Sequence, residues 1–572
     1  MKLRAWMARH GFAIVVLAAM AGLLGVTSKT EGITVDEPYH VTRGLAYWWT
    51  GSANLSWAHP PLSNALAGLP HRANRDGVDI TQVAGYARSD TARLAPAFFK
   101  AHWKTVRRGM FASRSMMSAL AVLFAAYVYV VCSRELDRRS AQFALAFVAL
   151  HPFMLGHGKL VTTDAPLTCF LGVALLELVA WLRGGAAWRA LGMSLACGAA
   201  FATKFSAVYF LPVLFCAPAL FALTRRGRFH GVDRARGVLT AAGVVLLAGL
   251  VSVGVVNAVY RFEATLMTRD ELRAAAVSGD QGSRAFVEEL ERPDSPLARL
   301  PASLPIPLPA RYVHGLISVA DHSDDGHSSW YWGEAGDGGW RSYFPVLLLI
   351  KSPTSLLLTL AGALALLVGL RRAPSARSWV LVGYAATVLL SGVASNLNIG
   401  VRHVMPIVVP LSVLGGRALA LAWERWGSRG VVRWCFAGLA VVHVGGVATG
   451  FPDYIGDFNW LVGGRRGGRQ ISVVGEDWGQ DSLRLRAALR ALEVRKLHYV
   501  NTASSAFLEL KDGRIEAHTL RCKRKPAVGS WVAIHETKRV RDEGECYTWL
   551  TDRSPDVDIA GHIGLWHTTK DD

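Results

Sequence analysis

The chain has 572 residues, 51% of them hydrophobic and 18% charged, with a mean hydropathy of +0.26. So apolar a composition excludes an ordinary soluble chain of several domains, and its repeated long apolar runs point to many membrane crossings. The formal charge of +19 is carried largely by short links between those runs, so it reads as membrane topology and not as nucleic-acid binding.

The first predicted element is a span at Gly11–Thr27, expected to remain a membrane helix and not a cleaved signal peptide. Further spans are predicted at Ala112–Cys132, Ala141–Leu155, Ala165–Leu182, Leu191–Thr203, Ser206–Leu223 and Val238–Val256. Four more follow at Phe344–Leu370, Ser378–Val393, Val404–Trp423 and Trp434–Thr449, giving about eleven in all. The stretch Leu191–Leu223 is interrupted by "TKFS" and crosses either twice or once as a tilted helix. Basic residues mark the links: Lys2, Arg4 and Arg9, then Arg134, Arg138 and Arg139, then Arg183 and Arg189. Arg225, Arg226 and Arg228 come next, followed by Arg371, Arg372 and Arg377, and last by Arg425, Arg429 and Arg433. With eleven spans and a cytoplasmic N-terminus, all of these fall on the cytoplasmic side of an inner (plasma) membrane.

Residues 1–450 then form a transmembrane domain with large extracytoplasmic loops at 28–111 and 257–343, and 451–572 form a separate outer region. In that region "RQISVV", "KLHYV" and "SWVAIHE" read as strands. "DSLRLRAALRALEV" reads as an amphipathic helix with Asp481 or Ser482 as N-cap. The fold class is therefore an α-helical multi-pass membrane protein with a small C-terminal extracytoplasmic α/β domain. Cys522 and Cys546 lie in this domain and either form a disulfide or remain two thiols.

Ionisable residues in or beside spans are costly, which makes them functional candidates. On the outer edge the acidic ones are Asp36 and Glu37 ("TVDEPYH") and Asp164 ("VTTDAPLT"). The basic ones are Arg114, Lys204 ("ATKFSA"), Lys351 ("LLLIKSPTS"), Arg402 and His403 ("GVRHVMPI"), with His59 in "SWAHPPLSN". A carboxylate can take a proton from an attacking hydroxyl, and Arg or Lys can hold a departing phosphate. The plainer readings are helix N-caps for Asp36 and Asp164, lipid-edge anchors for Arg114 and Lys351, and a loop residue for His59. The loop with His322, Asp324, Asp325, His327 and Glu334 has no recognised ligand spacing. A divalent metal is conceivable but unsupported, and no cofactor is expected.

The ordered set "TVDEPYH", "AHPPLSNALAG", "KLVTTDAPLT", "ATKFSAVYFLP", "SYFPVLLLIKSP", "NLNIGVRHVMPI" and "DYIGDFNWLVGG...EDWGQDSL" resembles the polyprenyl-phosphate-sugar-dependent glycosyltransferases of the C superfold. It is most similar to the bacterial branch of the protein O-mannosyltransferase family (glycosyltransferase family 39), itself related to the lipid A aminoarabinose transferases. The resemblance implies a sugar moved from a polyprenyl-phosphate-linked donor to a hydroxyl on a protein, lipid or glycan, on the extracytoplasmic face, by one inverting displacement. It implies Asp36 as general base, Glu37 as the neighbour that helps hold donor or acceptor, Asp164 as the second acidic position and His59 near the site. Charge logic adds Lys351, Arg402, Lys204, Arg114 and His403 as candidates for holding substrate. No β-trefoil module like that of the eukaryotic branch is visible. The alternative is a lipid-linked-sugar flippase or transporter of envelope biogenesis.

Overall fold

The computed structural model describes residues 2–569 except 74, 76, 225–229, 231, 277–280, 293, 296, 372, 502–503, 511–513 and 551–552. Arg225, Arg226, Arg228 and Arg372 thus lie outside the described residues. The predicted spans all fall on helices, but on helices of unequal length. Among the described residues, eight are long and apolar enough to cross: Arg9–Thr30, Trp103–Glu135, Asp164–Gly184, Ala207–Thr224, Arg234–Val259, Ala376–Ala394, Val401–Trp426 and Gly430–Gly450. A ninth is counted if Tyr343–Lys351 and Thr354–Gly369, bent by 108° against each other, make one crossing. The bend lies at Pro353, which holds Ser352 in extended backbone.

Two of the eleven expected crossings fall on helices shorter than these. Arg138–Ala149 has 12 residues and Ala187–Phe201 has 15. Their rise of about 18 and 22 Å is short of a hydrocarbon core of about 30 Å.

Burial separates central from lipid-facing helices. The apolar window of Asp164–Gly184 is 89% buried and that of Val401–Trp426 is 72% buried, against 6% for Gly430–Gly450. A helix apolar on every side belongs either in the middle of a bundle or against lipid. Of the two central helices, the second packs its first turns, Val401–Ile407, on the first, and Arg402 lies in the field of Asp164.

On the first outer loop, helix Glu37–Thr50 opens with Pro38 in its first turn and closes on Gly51 at φ +76°. It crosses helix Leu62–Gly68 so tightly that a Cβ on Gly44 would strike the carbonyl of Asn64. On the second, β1 (Ser329–Tyr331) and β2 (Glu334–Gly336) form an antiparallel hairpin.

The C-terminal sheet contains β3 (Lys496–Val500), β4 (Glu516–Thr519), β5 (Trp531–His535), β6 (Val557–Ile559) and β7 (Ile563–His567) in the order β4-β3-β5-β7-β6. β3 runs parallel to β4 and β5, while β7 is antiparallel to β5 and β6. Leu485 and Leu489 of helix Ser482–Ala491, with Ala506 and Leu510 of helix Ser504–Leu510, pack on Leu497, Tyr499, Ala533 and Leu565 of the sheet. The expected strands "KLHYV" and "SWVAIHE" are present, and Cys522 is disulfide-bonded to Cys546. "RQISVV" is not a strand. Its glycine-rich approach closes turns onto Gly467 and Gly468, and only a single bridge, Ser472 to Tyr331, remains.

Candidate active site

The chain leaving the first span is held by backbone. Gly32 N donates to the Gln480 carbonyl at 2.8 Å and Val35 N to the Trp478 carbonyl at 2.9 Å. Ile33 N donates to Glu509 Oε1 at 3.1 Å, and Ser505 Oγ to the Ile33 carbonyl at 3.1 Å. The acidic pair therefore enters its helix from a strap clamped by the C-terminal region.

The two members of the pair diverge at once. Glu37 is fully buried. It accepts from Arg114 Nε at 2.8 Å and Nη2 at 2.5 Å, from Thr34 N at 2.9 Å and from Val161 N at 3.2 Å. Burial pushes its carboxyl up, and Arg114 with the backbone donors more than reverses this, leaving it below the ordinary value. Arg114 spends its remaining donors on the carbonyls of Ser28, Glu31 and Gly32. Asp36 sits at the N-cap position of the same helix but makes no capping bond. Its carboxylate, about a third exposed, accepts from Arg402 Nη1 at 2.6 Å.

Arg402 lies on the 3-10 turn Val401–Ile407, which follows Gly400 at φ +101°. A Cβ on Gly400 would press on Gly475, so the close approach and the left-handed backbone both require glycine. The guanidinium stacks over Trp478 at 3.7 Å, and among the described residues its enclosed Nε has no hydrogen-bond partner.

Asp164 is the first residue of its helix and does not cap it; Thr163 holds that place, also without a capping bond. The Asp164 carboxylate takes Lys204 Nζ at 2.6 Å, with Lys204 13% and Asp164 4% exposed. The capping alternative thus fails for both acids, each being turned to a cation. Arg402 and His403 act on Asp164 as well as Lys204 does, and His40 lies in the field of both Asp36 and Asp164.

His59 stacks on His40 with ring centroids 5.2 Å apart, and His40 Nδ1 meets Asn64 Oδ1 at 2.8 Å. Burial, reinforced by Arg43, keeps His40 below its ordinary value, and burial keeps His59 well below, with His40, Arg43 and Lys204 pushing the same way. Both imidazoles are therefore neutral near pH 7.

The structure brings together Asp36, Asp164, Lys204, Arg402, His403 and His59. It does not bring Glu37, Arg114 or Lys351 to that face. Glu37 and Arg114 form a sealed pair. Lys351, 2% exposed, is bound by Glu476 and the Ile455 carbonyl and covered by Phe458. Its ammonium is engaged by protein groups.

Sequence reasoning missed His40, Arg43, Trp478 and Glu476. The first two were detectable, because Asp36, His40 and Arg43 recur at i, i+4 and i+7 on one helix face. Trp478 and Glu476 lie in "EDWGQDSL", but nothing local marks their roles, since their partners Arg402 and Lys351 are 76 and 125 residues away in sequence.

Among the described residues one group has metal-like spacing, Asp453, Asp481 and His562. His562 Nδ1 lies 2.6 Å from Asp481, Arg465 pairs with Asp453, and Arg484 with Asp481. The two carboxylates, which raise His562 to about 9 against the cost of burial, are already neutralised by side chains, so the set fits an ion-pair network better than a metal site. The side chains of 322–325, from the other metal consideration, lie outside the described residues.

Residues 93–255, which hold Arg114, Asp164 and Lys204, match the family model described as dolichyl-phosphate-mannose-protein mannosyltransferase. No curated protein matches the sequence. Among solved structures, the chain is similar to ArnT from Cupriavidus metallidurans bound to undecaprenyl phosphate, at 12% identity and a TM-score of 0.47, over 97% of this chain and 98% of that one. It is also similar to the oligosaccharyltransferase AglB from Archaeoglobus fulgidus in complex with an inhibitory peptide and a dolichol-phosphate, at 12% identity and a TM-score of 0.42, over 93% and 70% of the two chains. The central segment of the chain is thus similar to that mannosyltransferase family, and the apolar helices mark the whole chain as a membrane protein.

Proposed function

We propose that this chain is a membrane glycosyltransferase that moves a sugar from a polyprenyl-phosphate donor to a hydroxyl acceptor on the extracytoplasmic face, with Asp36 as general base. The observation that carries the reading is the half-open Asp36–Arg402 pair beside the Asp164–Lys204 pair. A lipid phosphate at the membrane edge competes with the carboxylates for Arg402 and Lys204, because each cation can exchange one anionic partner for another. Once Arg402 turns to the phosphate, Asp36 is free to accept a proton.

In the step, the acceptor oxygen attacks the anomeric carbon as its proton passes to Asp36. The bond from that carbon to the phosphate oxygen breaks, and its electron pair leaves with the polyprenyl phosphate. A single displacement inverts the sugar carbon. Arg402 and Lys204 meet the growing phosphate charge, a contribution that strengthens in a site shielded from water. General-base assistance of this kind contributes about 10²–10⁴-fold. Asp164, held by Lys204, fixes that cation and lines the opposite wall.

The N-terminus is placed in the cytoplasm and the C-terminal domain, residues 451–572, outside, as the charge of the short links favours. The acceptor is a protein, lipid or glycan hydroxyl.

The test uses purified protein in nanodiscs with a panel of polyprenyl-phosphate sugars, following release or transfer of the sugar. Cleavage of one donor with inversion is the expected result. Donor carried across a sealed bilayer without cleavage would overturn the reading in favour of transport.

A further inference from the structure

Arg43 stands on the same helix face as Asp36, two turns along, about 10 Å by the helical rise. It is 6% exposed, yet among the described residues it forms no ion pair. Its one hydrogen bond in the described structure runs from Nη2 to Thr91 Oγ1 at 2.9 Å, and its Nε is enclosed with no acceptor. A buried guanidinium with five donors and one hydroxyl partner is far from satisfied, and an unpaired buried charge is among the costliest arrangements a fold retains.

The surroundings are short of acceptors in the same way. His59 Nδ1 and Asn64 Nδ2 are also buried without a partner among the described residues. The carboxylates of the site do not make up the deficit, because Asp36 has Arg402 and Asp164 has Lys204. Arg43 is the cation left over. It also belongs to a different layer: Lys204 and Arg402 sit at the ends of membrane helices, whereas Thr91, on which Arg43 rests, opens the outer-loop helix Thr91–Ala101.

We propose that Arg43, with His59 and Asn64 beside it, forms a subsite for a second anionic group on the substrate, a carboxylate or phosphate ester distinct from the phosphate that joins sugar to lipid. The inference rests on the glycosyltransferase reading and deepens it by giving the substrate's chemistry. A planar guanidinium pairs with a carboxylate or phosphate through two parallel hydrogen bonds. With Asp36 near the attacked carbon, an acidic substituent within a sugar's breadth of that carbon reaches Arg43. Two sources share this chemistry: an acidic sugar on the donor, or an acidic group on the acceptor.

The experiment compares wild type with Arg43→Gln, both checked for an unchanged melting temperature, by direct binding. One arm uses polyprenyl-phosphate hexuronate against polyprenyl-phosphate hexose, which differ only at C6. The other uses a hexose 6-phosphate glycoside against the plain hexose glycoside. The expected result is a preference of about ten- to a hundredfold for the acidic member of one arm, the size expected of a charged hydrogen-bonded pair, collapsing in Arg43→Gln. The arm that responds names the source. Equal affinity for both members in both arms overturns the inference. So does a loss in Arg43→Gln that falls equally on hexuronate and hexose donors, which would make Arg43 a ligand of the linking phosphate. The parallel Asp36→Asn turnover assay keeps the two readings apart: unchanged turnover there counts against the base, whatever Arg43 does.

Discussion

Asp36 leaves about a third of its side chain open and holds a single cation, whereas Glu37, the next residue, is enclosed and accepts four hydrogen bonds. The same contrast separates the Asp164–Lys204 pair, with its cation 13% exposed, from Lys351–Glu476, where neither side chain exceeds 2%. An ion pair sealed on every side cannot trade partners without leaving a buried charge behind, so it serves the fold. A pair with one open flank and spare donors can trade, and trading partners is what binding a phosphate and releasing a base require. The motif "DE" thus divides its labour: Glu37 anchors the strap, and Asp36 is presented by it.

The contrast can be broken by substitution. The largest effect is expected at Asp36→Asn, which should lower transfer by about 10²–10⁴-fold while melting temperature and donor binding persist. Glu37→Ala should instead unfold the protein, costing about 3–5 kcal/mol by stranding Arg114 in the interior. A Glu37→Ala enzyme as stable as wild type would remove the distinction between the pairs. Arg402→Ala should raise the donor KM by about ten- to a hundredfold, with the acceptor KM little changed; equal rises in both would make Arg402 a packing residue.

The smallest effect is a pH dependence at the strap. Glu509, buried against Ile33 N and Ser482, is raised by that burial to about 7 from 4.5. The folded state therefore holds this proton more tightly than the unfolded state does. Its contribution to stability is complete below 4.5 and is lost as pH rises through 7. The difference in stability between wild type and Glu509→Gln should fall across that window and then level off. A flat difference in thermal unfolding from acid to neutral pH would show that the carboxyl is ionised throughout.

Much of this was legible beforehand. Apolar runs located every helix of the bundle, and the order of the short motifs pointed to the family that residues 93–255 match. The lengths of the helices were not legible from hydropathy alone, because composition does not report where a helix stops. The turn at "KSPT" and the short helix before His151-Pro152 are set by proline and by packing. "RQISVV" has strand-forming residues, but the preceding glycines bend the chain back on itself before it can pair. Which cation meets which carboxylate was the least legible feature. Asp36 and Arg402 are 366 residues apart, as Lys351 and Glu476 are 125, and only the fold decides that one pair is open and the other closed.

The most direct measurement pairs donor affinity with single-turnover transfer for wild type and Asp36→Asn, using the one polyprenyl-phosphate sugar that the wild type cleaves. The account predicts that the variant binds this donor about as well as wild type and fails to transfer its sugar. Transfer at the wild-type rate would contradict it, because the open carboxylate at the membrane edge would then have no part in moving the proton.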